Sequence, residues 1–122
     1  MKILNQIISN AQKLQKRIVL PEGTEPRTLR AADIILKNDI ARLIILGDPG
    51  QVRKEADKAG VDLKKAALID PSTDSRRDQY ASMMVEIRKN KGLTTEDALR
   101  LLNDPLYFAP LMIKAGDADG EL

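Results

Sequence analysis

Three short apolar runs, each closed by a proline or glycine and followed by helical spacing, restrict this 122-residue chain more than any other feature. Ile18, Val19 and Leu20 lie in RIVLP and stop at Pro21. RLIILG runs from Arg42 to Gly47, and AALID runs from Ala66 to Asp70, where Pro71 ends it. A strand with one wet face alternates apolar and polar residues. Unbroken apolar runs of this length are expected of strands buried on both faces, as in parallel sheets.

Between these runs the spacing turns helical. Ile3, Leu4, Ile7, Ile8, Ala11 and Leu14 predict an amphipathic helix from Lys2 to Gln15. After the loop EGTEP, Pro26 suits the first turn of a second helix, which runs to Lys37. Asp48 and Pro49 read as N-cap and first helical residue, with Gln51 placed to complete a capping box. The helix they start has little apolar content beyond Val52, Ala56 and Ala59, which puts it on the outside, and Gly60 can end it. A longer helix is expected from Asp74 to Asn90, with Tyr80, Met83, Met84 and Ile87 on one face and Gly92 closing it. Thr94 with Asp97 starts another through Leu102. Asp104 and Pro105 introduce a last one to Lys114, which Pro110 should kink or break.

Strands alternating with helices predict an α/β fold, a three-layer α/β/α arrangement around a mainly parallel sheet. The stretch AGDADGEL sets turn residues where a fourth strand would begin, with two residues after them. The expectation is a truncated chain, cut within a larger domain.

Composition removes several function classes. There is no cysteine, hence no thiolate nucleophile, disulfide or thiolate zinc site, and no histidine, the commonest general base and metal ligand. Twenty basic and eighteen acidic residues leave a net charge of +2, too small a field to hold nucleic acid by charge. The aromatics are only Tyr80, Tyr107 and Phe108, too few to stack single strands. MKILNQIISN does not read as a signal peptide, and no apolar run reaches bilayer length. The reading is a soluble, cytoplasmic protein without a membrane partner.

Three constellations could carry chemistry. PEGTEPRTLRAA, from Pro21 to Ala32, joins a strand end to a helix start, where ligands of open α/β sheets bind. The plainer reading makes Glu22, Glu25, Arg27 and Arg30 a solvated, salt-bridged helix start, with Arg27 a weaker candidate for an anion. LGDPG, from Leu46 to Gly50, lacks the Lys-Ser/Thr ending of a P-loop, and Asp48 puts negative charge where an anion would go, so it reads as a capped turn. EIRKNKG crowds Arg88, Lys89 and Lys91 at a helix C-terminus, where the helix dipole alone accounts for cations. Arg88 differs in lying one turn beyond Met84 on the border of the apolar face, where its planar fork suits a phosphate. Lys91 is a weaker second. Asp117 and Asp119 resemble turn carboxylates. Asp74, Arg76, Arg77 and Asp78 read as a solvated first turn, and Tyr107, Phe108 and Met112 as core. No metal site and no catalytic residue emerge from these patterns.

The stretches RIVLPEGTEPRTLRAADIIL, RLIILGDP, IDPSTDSRRDQYASMMVEIRKNKGLTTEDALRLL and AGDADGEL, taken in order, resemble the phosphate acetyltransferase family over essentially the whole chain. The resemblance implies a two-domain enzyme related in fold to isocitrate and isopropylmalate dehydrogenases, with its cleft between the domains. Residues 1–122 would then be the N-terminal part of domain 1, inactive by itself. It implies reversible acetyl transfer between coenzyme A (CoA) and inorganic phosphate, by direct thiolate attack on acetyl phosphate in a ternary complex. It further implies a homodimer, no metal or prosthetic group, and a carboxylate base and further arginines from beyond residue 122. Arg88 matches the arginine of the family's basic helix cap, associated with a phosphate of CoA. Two rivals stand beside it. One is a phosphate butyryltransferase or an acyl-CoA-sensing relative; the other is a non-catalytic α/β module that binds a small anion or a protein.

Overall fold

The computed structural model describes residues 2–122. Its elements run α1 (Lys2–Leu14), β1 (Arg17–Leu20), α2 (Pro26–Lys37), β2 (Arg42–Leu46), α3 (Pro49–Ala59), β3 (Ala67–Ile69), α4 (Arg77–Ile87), a 3-10 turn (Lys89–Lys91), α5 (Thr95–Leu101), α6 (Pro105–Lys114) and β4 (Gly120–Glu121). The four strands form one parallel sheet in the order β3-β2-β1-β4. The three apolar runs and the strand start at AGDADGEL all become strands of it.

Side chains of a strand alternate between the sheet's faces, and here both faces are dry. Val19, Ile44, Leu46 and Ile69 pack with α4, α5 and α6, into a core holding Tyr80, Met84, Ala98, Leu102, Phe108 and Met112. Leu20, Leu43, Ile45, Ile18 and Leu68 face the other way, against Leu29 and Ala32 of α2 and Val52 and Ala56 of α3. The result is the expected three-layer sandwich. Beyond Val52 and Ala56, α3 contributes little to the core, as its sequence implied.

Several details depart from the sequence expectations. Helix α4 is shorter than Asp74–Asn90 at both ends. The Asp74 carboxylate accepts from the Arg76 amide at 2.9 Å, a local turn that competes with helix. At the other end the backbone leaves helical geometry at Arg88 and tightens before Gly92 turns left-handed. Arg77 is no solvated side chain: its guanidinium donates to the Pro71 and Leu99 carbonyls at 2.5 and 2.8 Å, tying α4 to the end of β3 and to α5. Pro110 does not break α6, which runs unbroken past it. Phe108 and Met112 are core, but Tyr107 is 38% exposed. The Asp48 cap is made by its own carboxylate on the Gly50 and Gln51 amides, and among the described residues the Gln51 side chain returns no bond.

Helix α1 has the predicted amphipathic face, but nothing among the described residues covers it: Ile3, Leu4, Ile7 and Leu14 are all at least half exposed. Its anchors are polar and sit at one end. Gln12 and Gln15 donate to the carbonyls of Asn38 and Asp39, at 2.6 and 2.8 Å.

Strand β4 is pinned to β1 by an ion pair that joins residues 102 positions apart. Asp119 accepts from the Arg17 amide at 2.8 Å and from its guanidinium at 3.1 Å, and the same guanidinium reaches the Gly116 carbonyl at 2.9 Å. Beside it, the buried Tyr80 donates its hydroxyl to Asp117 at 2.5 Å and stacks at a tilt on Phe108, ring centres 5.0 Å apart. Burial, and next the Asp117 carboxylate, push the Tyr80 hydroxyl well above the ordinary tyrosine range. The two aspartates read as turn carboxylates are therefore the ties that seat the last strand.

Two consequences are measurable. Gly23 lies beneath the end of β2, where a Cβ would meet the Leu46 carbonyl oxygen at 2.6 Å and the Ile45 and Val52 methyls at 2.7 and 2.9 Å. Gly23→Ala should therefore cost about 1–3 kcal/mol of overpacking in a denaturant titration. Asp119 is held at about 2, below its ordinary 3.8, chiefly by its bond from Arg17. Its contribution is present in full above pH 3.8 and disappears as pH falls toward 2. Asp119→Asn should lower the urea midpoint at pH 7 and narrow the gap to wild type across that acid range.

Candidate functional site

In a parallel sheet the strand C-termini all lie at one end, and the loops that leave them form its mouth. Here the loop Pro21–Glu25 folds over the end of β2, with the Gly23 amide donating to the Leu46 carbonyl at 3.2 Å. Together with Gly47, Asp104, Pro105 and Leu106 it lines a hollow of about 300 Å³. Two helix N-termini beside this hollow are already satisfied by their own carboxylates. Asp48 caps α3, and Asp104 caps α6 by accepting from the Leu106 amide at 2.9 Å. LGDPG is thus a capped turn and not a phosphate loop.

Glu22, Glu25, Arg27 and Arg30 are exposed, and the expected salt bridges among them are absent among the described residues. Glu25 stands at the N-cap of α2 without a side-chain cap bond. Arg27 occupies the first turn of α2, in solvent and away from the groove described next.

The basic cap after α4 divides its cations. Lys89 pairs with Glu86 at 3.3 Å on the solvent side, and Lys91 is exposed in the 3-10 turn. Arg88 is exposed too, but it lines a groove of about 290 Å³ with Met84, Ile87, Leu106, Tyr107, Pro110 and Leu111. Among the described residues its guanidinium has neither an ion pair nor a hydrogen bond. Of the three cations proposed for anion contact, Arg88 alone borders a cavity; the fold does not bring Arg27 or Lys91 to it. Leu106 lines both this groove and the hollow at the strand ends, so the two are neighbours.

Tyr107 was the residue of this site that composition hid, because an aromatic beside Phe108 reads as core. The spacing did carry a signal. Phe108, Leu111 and Met112 share one face of α6, which leaves Leu106, Tyr107, Pro110 and Ile113 on the other. No helix of the described residues is long and apolar enough to cross a membrane.

A family model described as Phosphate acetyl/butaryl transferase matches residues 2–122. The phosphate acetyltransferase of Thermoanaerobacterium thermosaccharolyticum is 48% identical over 120 residues, and that of Clostridium acetobutylicum 39%; each alignment covers 98% of this chain and 36% of the relative. The chain thus spans about a third of the length of these curated relatives. Among solved structures, a phosphotransacetylase from Streptococcus pyogenes superposes with a TM-score of 0.89 at 32% identity, over 98% of this chain and 36% of that one. The EutD phosphotransacetylase from Staphylococcus aureus gives 0.83 at 33% identity, over 96% and 36%.

Proposed function

This chain belongs to the phosphate acetyl/butyryl transferase family, and from that membership we propose that it forms part of a phosphate acetyltransferase and helps that enzyme grip CoA. The reaction is acetyl-CoA plus phosphate to acetyl phosphate plus CoA. In the reverse direction the CoA thiolate attacks the carbonyl carbon of acetyl phosphate, the carbon–oxygen bond to phosphate breaks, and inorganic phosphate leaves. Relatives named for acetyl transfer, at 48% and 39% identity, support acetyl over butyryl as the group moved.

The observation that carries this reading is Arg88, an arginine with no partner among the described residues beside an apolar groove, at the position the resemblance associates with a CoA phosphate. Its part is to bind and orient. A guanidinium can present two parallel N–H donors to a phosphate, and the ligand's charge replaces a partner the described residues do not supply. Holding the carrier at a distance from the reacting sulfur adds binding energy that fixes the thiol's position. The base and the further arginines are proposed to come from the two thirds of the relatives' length that this chain does not span. The same reading makes the whole protein a two-domain homodimer acting in the cytoplasm in acetate metabolism, with CoA and phosphate as substrates and no metal or prosthetic group.

In the whole enzyme carrying this segment, Arg88→Ala should raise KM for CoA about tenfold or more and lower kcat less, because the contact is made to the bound carrier in ground and transition state alike. Arg88→Lys should recover part of the loss, since it restores the charge without the fork. Steady-state kinetics with CoA as the varied substrate measure both, and an unchanged CoA constant in Arg88→Ala removes the assignment.

A further inference from the structure

The groove beside Arg88 carries more than its cation. Ile87, Leu106 and Tyr107 leave 57%, 54% and 38% of their surfaces exposed there, and Tyr107 is the one exposed aromatic among the described residues, since Tyr80 and Phe108 are fully buried. Large apolar side chains left in water next to an unpaired guanidinium are the composition of a binding surface. A volume of about 290 Å³ is small for a pocket and cannot hold a carrier as long as CoA, but it has room for one flat ring system.

We infer that Tyr107 is the specificity-determining wall of this groove, taking the adenine ring of CoA against it while Arg88 holds a phosphate of the same nucleotide. This rests on the reading of the protein as a CoA-dependent acyltransferase. Any aromatic face stacks a base, so Tyr107 supplies affinity without needing its hydroxyl. The charges nearby give the carrier a direction. The neighbouring hollow, reached across Leu106, is rimmed by Glu22, Glu25 and Asp104. Three carboxylates repel a nucleotide and tolerate an uncharged chain. The anionic end of CoA therefore lies at Arg88, away from those carboxylates.

Kinetics of the whole enzyme with CoA and with 4′-phosphopantetheine, which has the thiol arm but no adenine, test this. Tyr107→Ala should raise KM for CoA about tenfold with a smaller effect on kcat, and should move the constant for 4′-phosphopantetheine by less than about twofold. Tyr107→Phe should stay close to wild type with both substrates. A Tyr107→Ala enzyme with an unchanged CoA constant, or one that loses both substrates equally, overturns the inference. Arg88→Ala in the same assay separates the two levels. If it raises the CoA constant while Tyr107→Ala does not, only the adenine site falls; if it leaves that constant unchanged, the CoA reading falls with it.

Discussion

Val19 and Leu20 are adjacent in β1 and enter different cores. Val19 packs against Phe108 and the other side chains of α4, α5 and α6, whereas Leu20 packs against α2 and α3, and neither is more than 1% exposed. Ile45 and Leu46 repeat the division in β2. Fully burying an aliphatic side chain contributes about 1.5–3 kcal/mol, so a sheet made of such residues is stable only with helices on both faces. That requirement forces a helical crossover between successive parallel strands and gathers the loops after them at one end. The surface ion pairs are minor beside it. Asp119 and Arg17 choose where β4 lies; they do not supply the core it joins.

What local chemistry decides was legible in the sequence. The strand runs, the Asp48, Thr94 and Asp104 caps and the left-handed Gly60 all follow from residues within a few positions of one another, and the structure places each of them as expected. What escaped depends on distant partners. Nothing near Asp119 in sequence announces Arg17, and nothing near Arg77 announces the Leu99 carbonyl. Charged residues in polar stretches read as solvated until the fold hands them a partner. Pro110 does not end α6 for a related reason: removing one amide was outweighed by the burial of Phe108, Ala109, Leu111 and Met112 around it. The apolar stripe of α1 was read correctly as a helix face, and it remains uncovered among the described residues.

The candidate site divides in the same way. Charge and periodicity placed Arg88 on the border between an apolar face and water, and the groove is the physical meaning of that border. The same reasoning could not separate Arg88 from Lys91 or Arg27, because a cation at a helix end is favourable whether or not a ligand visits. Geometry separates them: Lys89 is paired, Lys91 and Arg27 stand in open solvent, and Arg88 alone borders a cavity. Fold by itself would not assign chemistry, since α/β sandwiches host many reactions. Family membership is what the proposed reaction rests on, and Arg88, unpaired among the described residues, is the handle proposed for it.

The central claim is that a phosphate of CoA completes Arg88. A crystal structure of the whole enzyme with CoA bound tests it most directly. The account requires a phosphate oxygen of CoA about 2.7–2.9 Å from the Arg88 guanidinium, with the adenine ring in the groove beside Tyr107. CoA bound with every phosphate out of reach of Arg88, while the groove stays filled with solvent, would contradict it.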